Sequence, residues 1–333
     1  MDLRVSVLGA GSFGTTIAHL AARNGPVTLW CRRPETADEI NREHTHHRYL
    51  EGYEIDPGVR ATASLEEAVR GADVVVLGVP SVGMRELLGE VAPHIRPWVP
   101  LVSLAKGLEP ETNLRMTEVI REVLPDHGAG ALTGPNLAKE IMAGMAAASV
   151  IAFEDREVAR QVQSVFNSGL FRVYTNPDVI GCELGGALKN VIAIAAGMGD
   201  GLGVGDNTRA AIISRGLAEL TRLGVAMGGE PATFAGLAGV GDLVATCSSH
   251  QSRNRFVGEQ LGRGLDIQEI IASMQQVAEG VKTTRVVMDL GEKYGVDLPI
   301  ARDVYEVLYE GKTALQAYRG LVRRDPGAES EPG

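Results

Sequence analysis

The opening stretch of the chain constrains its fold more than any other part. An apolar run, Leu3–Leu8, meets a turn with three glycines, Gly9-Ala-Gly11-Ser-Phe-Gly14, and the apolar, alanine-rich segment Thr15–Ala22 follows. That is the strand–turn–helix setting of a dinucleotide-binding βαβ unit. The three glycines play separate parts. Gly9 permits the tight turn, Gly11 lets a pyrophosphate approach the backbone, and Gly14 allows the helix to pack closely on the strand. Ser12 and Phe13 then offer N–H groups at a helix start, where the dipole favours an anion. With 41 glycines in the chain, isolated matches to this pattern arise by chance. The flanking strand and helix are what give this one its meaning.

The alternation continues through the first half. Strands are predicted at Leu3–Leu8, Val27–Trp30, Val74–Val79, Leu101–Ser103 and Gly130–Thr133. Helical patterns separate them at Phe13–Arg23, Pro34–Arg42, Leu65–Arg70, Val82–Val91 and Asn113–Val123. Runs as continuously apolar as Val74–Val79 read as strands buried on both faces of a parallel sheet. A further βαβ-like piece, Ser149–Phe153, Arg156–Phe166 and Phe171–Tyr174, extends that sheet. After Pro177 only helical patterns recur: Val179–Ala196, Arg209–Leu223, Pro231–Leu237, Asn254–Leu261, Ile267–Ser273, Thr283–Tyr294, Ala301–Leu308 and Thr313–Tyr318. The expected fold class is therefore an α/β, Rossmann-like doubly wound sheet over residues 1–178, followed by an all-α domain over 179–324. Residues 325–333, rich in Pro, Gly and Glu, read as a disordered tail.

Composition narrows the partners. Hydrophobic residues make up 44% and charged residues 22% of the chain, ordinary globular usage, and the net charge is -10. An acidic chain repels phosphate backbones and anionic lipid at long range, which argues against nucleic-acid or membrane binding. An anionic ligand would need a local cluster of cations and N–H groups. Cys31, Cys182 and Cys247 are sparse, odd in number and free of metal spacing, as in a reducing compartment. No signal peptide and no bilayer-spanning stretch is expected, so the reading is cytoplasmic.

Several residues carry candidate chemistry. A cofactor without a 2′-phosphate is usually held by an acidic side chain about 20 residues after the glycine turn. Here the second strand runs into Cys31-Arg32-Arg33-Pro34 instead. Arg32 and Arg33 either receive a 2′-phosphate, favouring NADP(H) over NAD(H), or are two solvated arginines in a turn. Lys189 has Gly185, Gly186, Ile192 and Ala193 as its helical neighbours, none of them acidic. It reads equally as a desolvated proton donor, biased towards its neutral form, or as a lysine snorkelling at a domain edge. Lys106 follows a strand at the carboxyl end of the sheet, where ligands of open α/β folds collect; its alternative is a solvated loop lysine. Ser252, Arg253 and Asn254 open a helix and form either a phosphate cradle or a plain helix cap. His44, His46 and His47 cluster without a carboxylate or thiol in ligand spacing, and a metal is not expected there.

Taken in order, Gly9–Gly14, Lys106-Gly-Leu-Glu109, Thr133-Gly-Pro-Asn-Leu-Ala-Lys-Glu140, Leu184–Ala193, Gly239-Val-Gly-Asp-Leu243 and Gln251-Ser-Arg-Asn254 closely resemble the bacterial NAD(P)+-dependent sn-glycerol-3-phosphate dehydrogenases, from the first strand to about Arg319. The resemblance implies reduction of dihydroxyacetone phosphate to sn-glycerol 3-phosphate, which feeds phospholipid synthesis. It places the general acid/base lysine on Lys189, with Lys106, Asn190, Asp242 and Thr246 orienting the substrate or that lysine. Ser252, Arg253 and Asn254 fall on the substrate-phosphate segment, with Arg253 also near the cofactor, and Gly134 and Asn136 on a loop beside the substrate. Gly9, Gly11, Ser12, Phe13, Gly14, Arg32, Arg33, Lys106, Ala138, Val277 and Glu279 fall on cofactor-contacting positions. Asn136 stands where the family more often has Thr or Ser, and Arg33 where many relatives carry Asp. A homodimer is compatible with the sequence. Two rivals remain: a dehydrogenase of the same architecture acting on a carboxylate substrate, and a non-catalytic NADPH-binding sensor.

Overall fold

The computed structural model describes residues 3–274 and 278–322; the tail expected from residue 325 and the cofactor candidate Val277 lie outside the described residues. The chain separates into two compact units, one of residues up to Glu109 with Leu114–Val179, the other of Pro110–Asn113 with the residues from Ile180 on.

The first unit is built on an eight-stranded sheet: β1 (Val5–Leu8), β2 (Val27–Trp30), β3 (Val59–Thr62), β4 (Val74–Leu77), β5 (Leu101–Ser103), β6 (Ala129–Thr133), β7 (Ala147–Ala152) and β8 (Phe171–Asn176). Their spatial order is β3-β2-β1-β4-β5-β6-β7-β8. Every neighbouring pair is parallel except β6 and β7. The order runs outward both ways from β1 and β4, so the topological switch falls between them. Helices α1 (Ser12–Ala21), α2 (Pro34–Glu43), α3 (His47–Leu50), α4 (Leu65–Val69), α5 (Met84–Val91), α6 (Met116–Val123), α7 (Ala138–Met142) and α8 (Arg156–Phe166) connect the strands.

Alternation along the central strands builds a core on each face. Val5, Val7, Val74 and Val76 join one cluster with Ile17, Leu29 and Phe166, whereas Leu8, Val75 and Leu77 join another with Met84, Leu88 and Ile120. A strand with both faces covered must be apolar at every position, which is why the pattern of β4 is continuous rather than alternating. Two features depart from the sequence expectation. β3, Val59-Arg-Ala-Thr62, is an edge strand whose exposed arginine breaks the apolar run by which the equally short β4 stands out. The antiparallel turn-back into β7 arises because only the five-residue α7 lies between β6 and β7, too little for a full crossover helix.

The second unit is helical: α9 (Val179–Leu202), α10 (Asp206–Ala226), α11 (Pro231–Phe234), α12 (Asp242–Ser248), α13 (Arg253–Gly262), α14 (Ile267–Ser273), α15 (Glu279–Tyr294), α16 (Pro299–Tyr309) and α17 (Ala314–Val322). Contrary to the expectation of no spanning-length stretch, α9 is long and apolar enough by composition to cross a membrane, with mean hydropathy 1.5 over its best window. That window is 94% buried inside the unit, as befits a helix apolar on all sides that runs through a protein core. Its glycines admit α13 at backbone distance. A Cβ on Gly197 would lie 2.1 Å from the Arg255 carbonyl oxygen, and one on Gly258 would lie 2.0 Å from that of Ile194. Buried Arg255 ties the same two helices through Asp200, with Nη2 to Oδ2 at 2.7 Å.

Candidate active site

In the first unit the glycine turn closes on itself. Gly9 has φ +123°, and its missing Cβ would meet the Gly78 carbonyl oxygen at the end of β4, 2.7 Å away. Gly14 has no room either, since its Cβ would lie 2.0 Å from the Gly9 carbonyl oxygen. Gly11 is different: nothing lies within 4 Å of where its Cβ would stand. Gly11 is the N-cap of α1, with no side-chain cap and no acidic residue in the first turn. The N–H groups of Ser12, Phe13 and Gly14 have no intrahelical acceptors at a helix start, so the turn is open, uncapped and suited to an anionic group.

Around that turn, Arg32 and Arg33 stand exposed just beyond β2, with Arg33 as N-cap of α2. His46 solves part of the histidine cluster. It is 1% exposed, and its Nε2 lies 2.8 Å from the Ala10 carbonyl oxygen inside the glycine turn. His47 instead pairs with Glu39, Nδ1 to Oε1 at 2.7 Å. The role of His46 as a brace for the turn is invisible in sequence, because the contact spans 36 residues.

At the carboxyl ends of neighbouring β5 and β6, Lys106 Nζ donates to the Gly134 carbonyl oxygen at 2.7 Å. Gly134 has φ +125° and sits close against β7. Asn136 Nδ2 donates to Ser149 Oγ at 3.0 Å, and Ser149 Oγ donates to the Thr133 carbonyl oxygen at 2.8 Å. The other end of that amide, Asn136 Oδ1, is buried without a hydrogen-bond partner. Ala138 begins α7 directly after this loop. Glu109, at the end of the Lys106 motif, is locked from behind by Arg85, whose Nε and Nη2 both donate to it at 2.8 Å.

In the second unit, α9 carries Lys189 and α12 carries its counterpart. Lys189 Nζ lies 2.8 Å from Asp242 Oδ1 and also donates to Thr246 Oγ1. Thr246 Oγ1 donates in turn to the Asp242 carbonyl oxygen at 2.7 Å, one helical turn back. Lys189 is 4% and Asp242 1% exposed. Lys189 is therefore buried and not snorkelling at an edge, and it has an ion-pair partner that its helical neighbours do not supply. No carboxylate lies three or four residues from it on its own helix, but α12 brings one across and sets the two side chains in a buried ion-pair contact. A turn of π-helix, Leu237–Gly241, precedes Asp242, and a Cβ on Gly185 of α9 would lie 2.5 Å from the Ala238 carbonyl oxygen. The small residues therefore set the approach that makes the pair. Helix α12 is not among the helical patterns of the sequence, so the motif Gly239–Leu243 is legible there only through the resemblance.

The segment opening α13 joins the same neighbourhood. Ser252 is the N-cap, its Oγ accepting from Arg255 N at 3.2 Å. Arg253 stands exposed in the first turn, while Asn254 is buried and its Oδ1 accepts from Gly280 N at 3.0 Å. A Cβ on Gly280 would lie 2.8 Å from the Asn190 carbonyl oxygen, so Asn190, Asn254 and the Glu279–Gly280 start of α15 are packed together. Cap and cradle are thus compatible readings of Ser252: capping uses its oxygen, while the early N–H groups of the helix remain directed outward. Burial pushes the neighbouring Cys247 thiol up to about 12, leaving it unreactive beside the pair.

A doubly wound sheet with an uncapped glycine turn at its switch point, joined in the chain to a helical unit holding a buried lysine–aspartate pair, defines a nicotinamide-dinucleotide oxidoreductase as the class. Family models agree and go further. Residues 4–159 match the N-terminus and residues 178–319 the C-terminus of NAD-dependent glycerol-3-phosphate dehydrogenase, and the chain belongs to that family. It is 57% identical to glycerol-3-phosphate dehydrogenase [NAD(P)+] 2 of Sphingopyxis alaskensis over 100% of both chains. It is 55% identical to glycerol-3-phosphate dehydrogenase [NAD(P)+] 1 of Mycobacterium tuberculosis, over 98% of this chain and 96% of that one. Among solved structures it is similar to a glycerol-3-phosphate dehydrogenase from Coxiella burnetii, with TM-score 0.93 at 35% identity, covering 97% and 99% of the two chains.

Proposed function

We propose that this chain, acting in the cytoplasm, reduces dihydroxyacetone phosphate to sn-glycerol 3-phosphate with NAD(P)H, and that the product supplies glycerophospholipid synthesis. The observation that carries the chemical part is the buried Lys189–Asp242–Thr246 cluster in a member of this family. When bound, the reduced nicotinamide supplies a hydride to the ketone carbon. The Lys189 ammonium stabilises the developing alkoxide and passes it a proton, giving the alcohol. Asp242 keeps the lysine charged and aimed, and Thr246 limits the directions in which its protons point. Arg253, with Ser252 and Asn254, takes the substrate phosphate, so binding energy far from the reacting carbon serves to orient it. Lys106, Gly134, Asn136 and Asn190 are assigned contacts to the remaining substrate oxygens.

For the cofactor, the pyrophosphate goes to Gly11–Gly14 and the 2′-phosphate to Arg32 and Arg33, giving a preference for NADPH with NADH accepted. Ala138 and Glu279 complete that set. The three cysteines are buried and free, in keeping with a reducing compartment. The test is NADPH oxidation with dihydroxyacetone phosphate beside a panel of ketoacids. Lys189→Ala is expected to lose turnover by roughly two to four orders of magnitude while NADPH titration stays near that of the parent chain. Retained turnover in that variant, or a ketoacid outperforming dihydroxyacetone phosphate, overturns the assignment. NADPH binding without turnover on any of them would favour a sensor.

A further inference from the structure

The second unit holds a cavity of about 410 Å³, within the usual range for small-molecule sites, that none of the proposed catalytic residues lines. One wall is a single face of α10, with Asn207, Thr208, Ala211, Ile212, Arg215, Glu219 and Arg222 at helical spacing. Ile300 of α16 and Tyr318 and Leu321 of α17 form the rest. At about 1.5 Å per residue, that face runs for roughly 22 Å, so the cavity is a slot along the helix and not a round chamber.

Its middle is apolar and one end is cationic. Ala211, Ile212, Ile300 and Leu321 supply the apolar surface. Glu219 is buried at the cationic end, but both its oxygens are taken by α16: Oε1 accepts from Ile300 N at 2.7 Å and Oε2 from Ala301 N at 3.2 Å. Arg222 spends one Nη2 contact on the Asp297 carbonyl oxygen at 3.3 Å, and its Nε is buried without a hydrogen-bond partner. A buried guanidinium N–H with no acceptor is costly and calls for one. Arg215 adds a second guanidinium to the same wall. The unsatisfied Arg222 N–H, beside a carboxylate already committed to a helix N-terminus, leaves that end of the slot favourable to an anion.

From the slot's shape, apolar middle and unsatisfied Arg222 Nε, we infer that it is a second ligand site for an extended apolar molecule ending in a single anionic group, a fatty carboxylate being the simplest form. This site is independent of the reductase reading. The guanidinium end receives the carboxylate, and the chain lies along Ala211 and Ile212 under Tyr318. The experiment is calorimetric titration of the full-length protein with decanoate and, as the neutral equivalent, decanol. Decanoate is expected to bind one per chain and about tenfold or more tighter than decanol, the worth of a charge-assisted hydrogen bond. Arg222→Met should erase that preference, and Ala211→Trp, which fills the slot, should abolish both signals. Turnover at saturating substrate should stay at the parent level in each variant, which also shows that each has folded. Equal binding of decanol and decanoate, no binding of either, or decanoate binding that survives Ala211→Trp would overturn the inference. So would a change of molar mass by light scattering on Ala211→Trp, since the slot would then be covered by a second copy of the chain.

Discussion

Replacing Asp242 by Asn tests the core of the site through stability, without relying on any assigned catalytic role. The two charged groups lie 2.8 Å apart, with side chains only 5% and 2% exposed. Removing one partner of such a pair leaves the other buried and uncompensated, a cost of about 3–5 kcal/mol. Asp242→Asn replaces the carboxylate facing the ammonium by a neutral amide. Lys189→Met leaves the carboxylate in the opposite position. The double variant carries no buried charge at this point and is expected to cost only about 1–2 kcal/mol, because an uncharged, well-filled site avoids the desolvation penalty altogether. The coupling between the positions should therefore exceed about 3 kcal/mol, far above the few tenths expected for independent sites. In a helical unit of this size each single change should lower the melting temperature by about 10 °C. The measurement is urea and thermal unfolding of the four proteins followed by circular dichroism. If the two single costs simply add in the double variant, the pair is not the buried ion pair described, and the account of Lys189 as a held ammonium fails.

Further expectations concern other parts of the chain. Gly11→Ala should fold with parental stability, since its Cβ meets nothing, yet weaken NADPH binding at least about tenfold by standing in the proposed path of the pyrophosphate. Gly14→Ala, which would drive a methyl to 2.0 Å from the Gly9 carbonyl oxygen, should lose stability by about 1–3 kcal/mol or more. Fluorescence titration and melting curves separate the two, and equal behaviour of both variants would contradict the geometry. Burial raises Glu219 to about 7, against the opposing pull of the Ile300 and Ala301 N–H groups and Arg222. Because the folded value lies above the unfolded one, its contribution is full below about pH 4.5 and lost as pH rises through about 7, on the order of 3 kcal/mol in all. The stability difference between the parent chain and Glu219→Gln should follow that curve; a difference independent of pH would refute it. Changing Arg32 and Arg33 together to Ala should raise KM for NADPH more than for NADH, and an unchanged ratio would remove the 2′-phosphate from that turn.

The sequence alone carries the sheet-then-helix order and the glycine turn, because both are written in local periods. A strand buried on both faces must be apolar throughout, as at Val74–Leu77, and a glycine turn between strand and helix is a contiguous signal. Some short elements escape, β3, α3, α7 and α12 among them, because four to seven residues carry a period only weakly; Ile267–Ser273, equally short, is nonetheless legible. The charges that matter are legible as residues but not as pairs. Lys189 has no carboxylate three or four residues away on its own helix, and only the approach of α12, past the Gly185 contact with Ala238, gives it Asp242. His46 is one of three clustered histidines in the sequence, and only folding sets it under the Ala10 carbonyl. Nothing local separates Glu219 from a surface glutamate; α16 does so by laying its N-terminus across both its oxygens. Local sequence determines which elements form, since backbone preference and hydrophobic period act over a few residues. Which buried charge meets which partner depends on packing distances between segments far apart in the chain, and only the tertiary structure sets those.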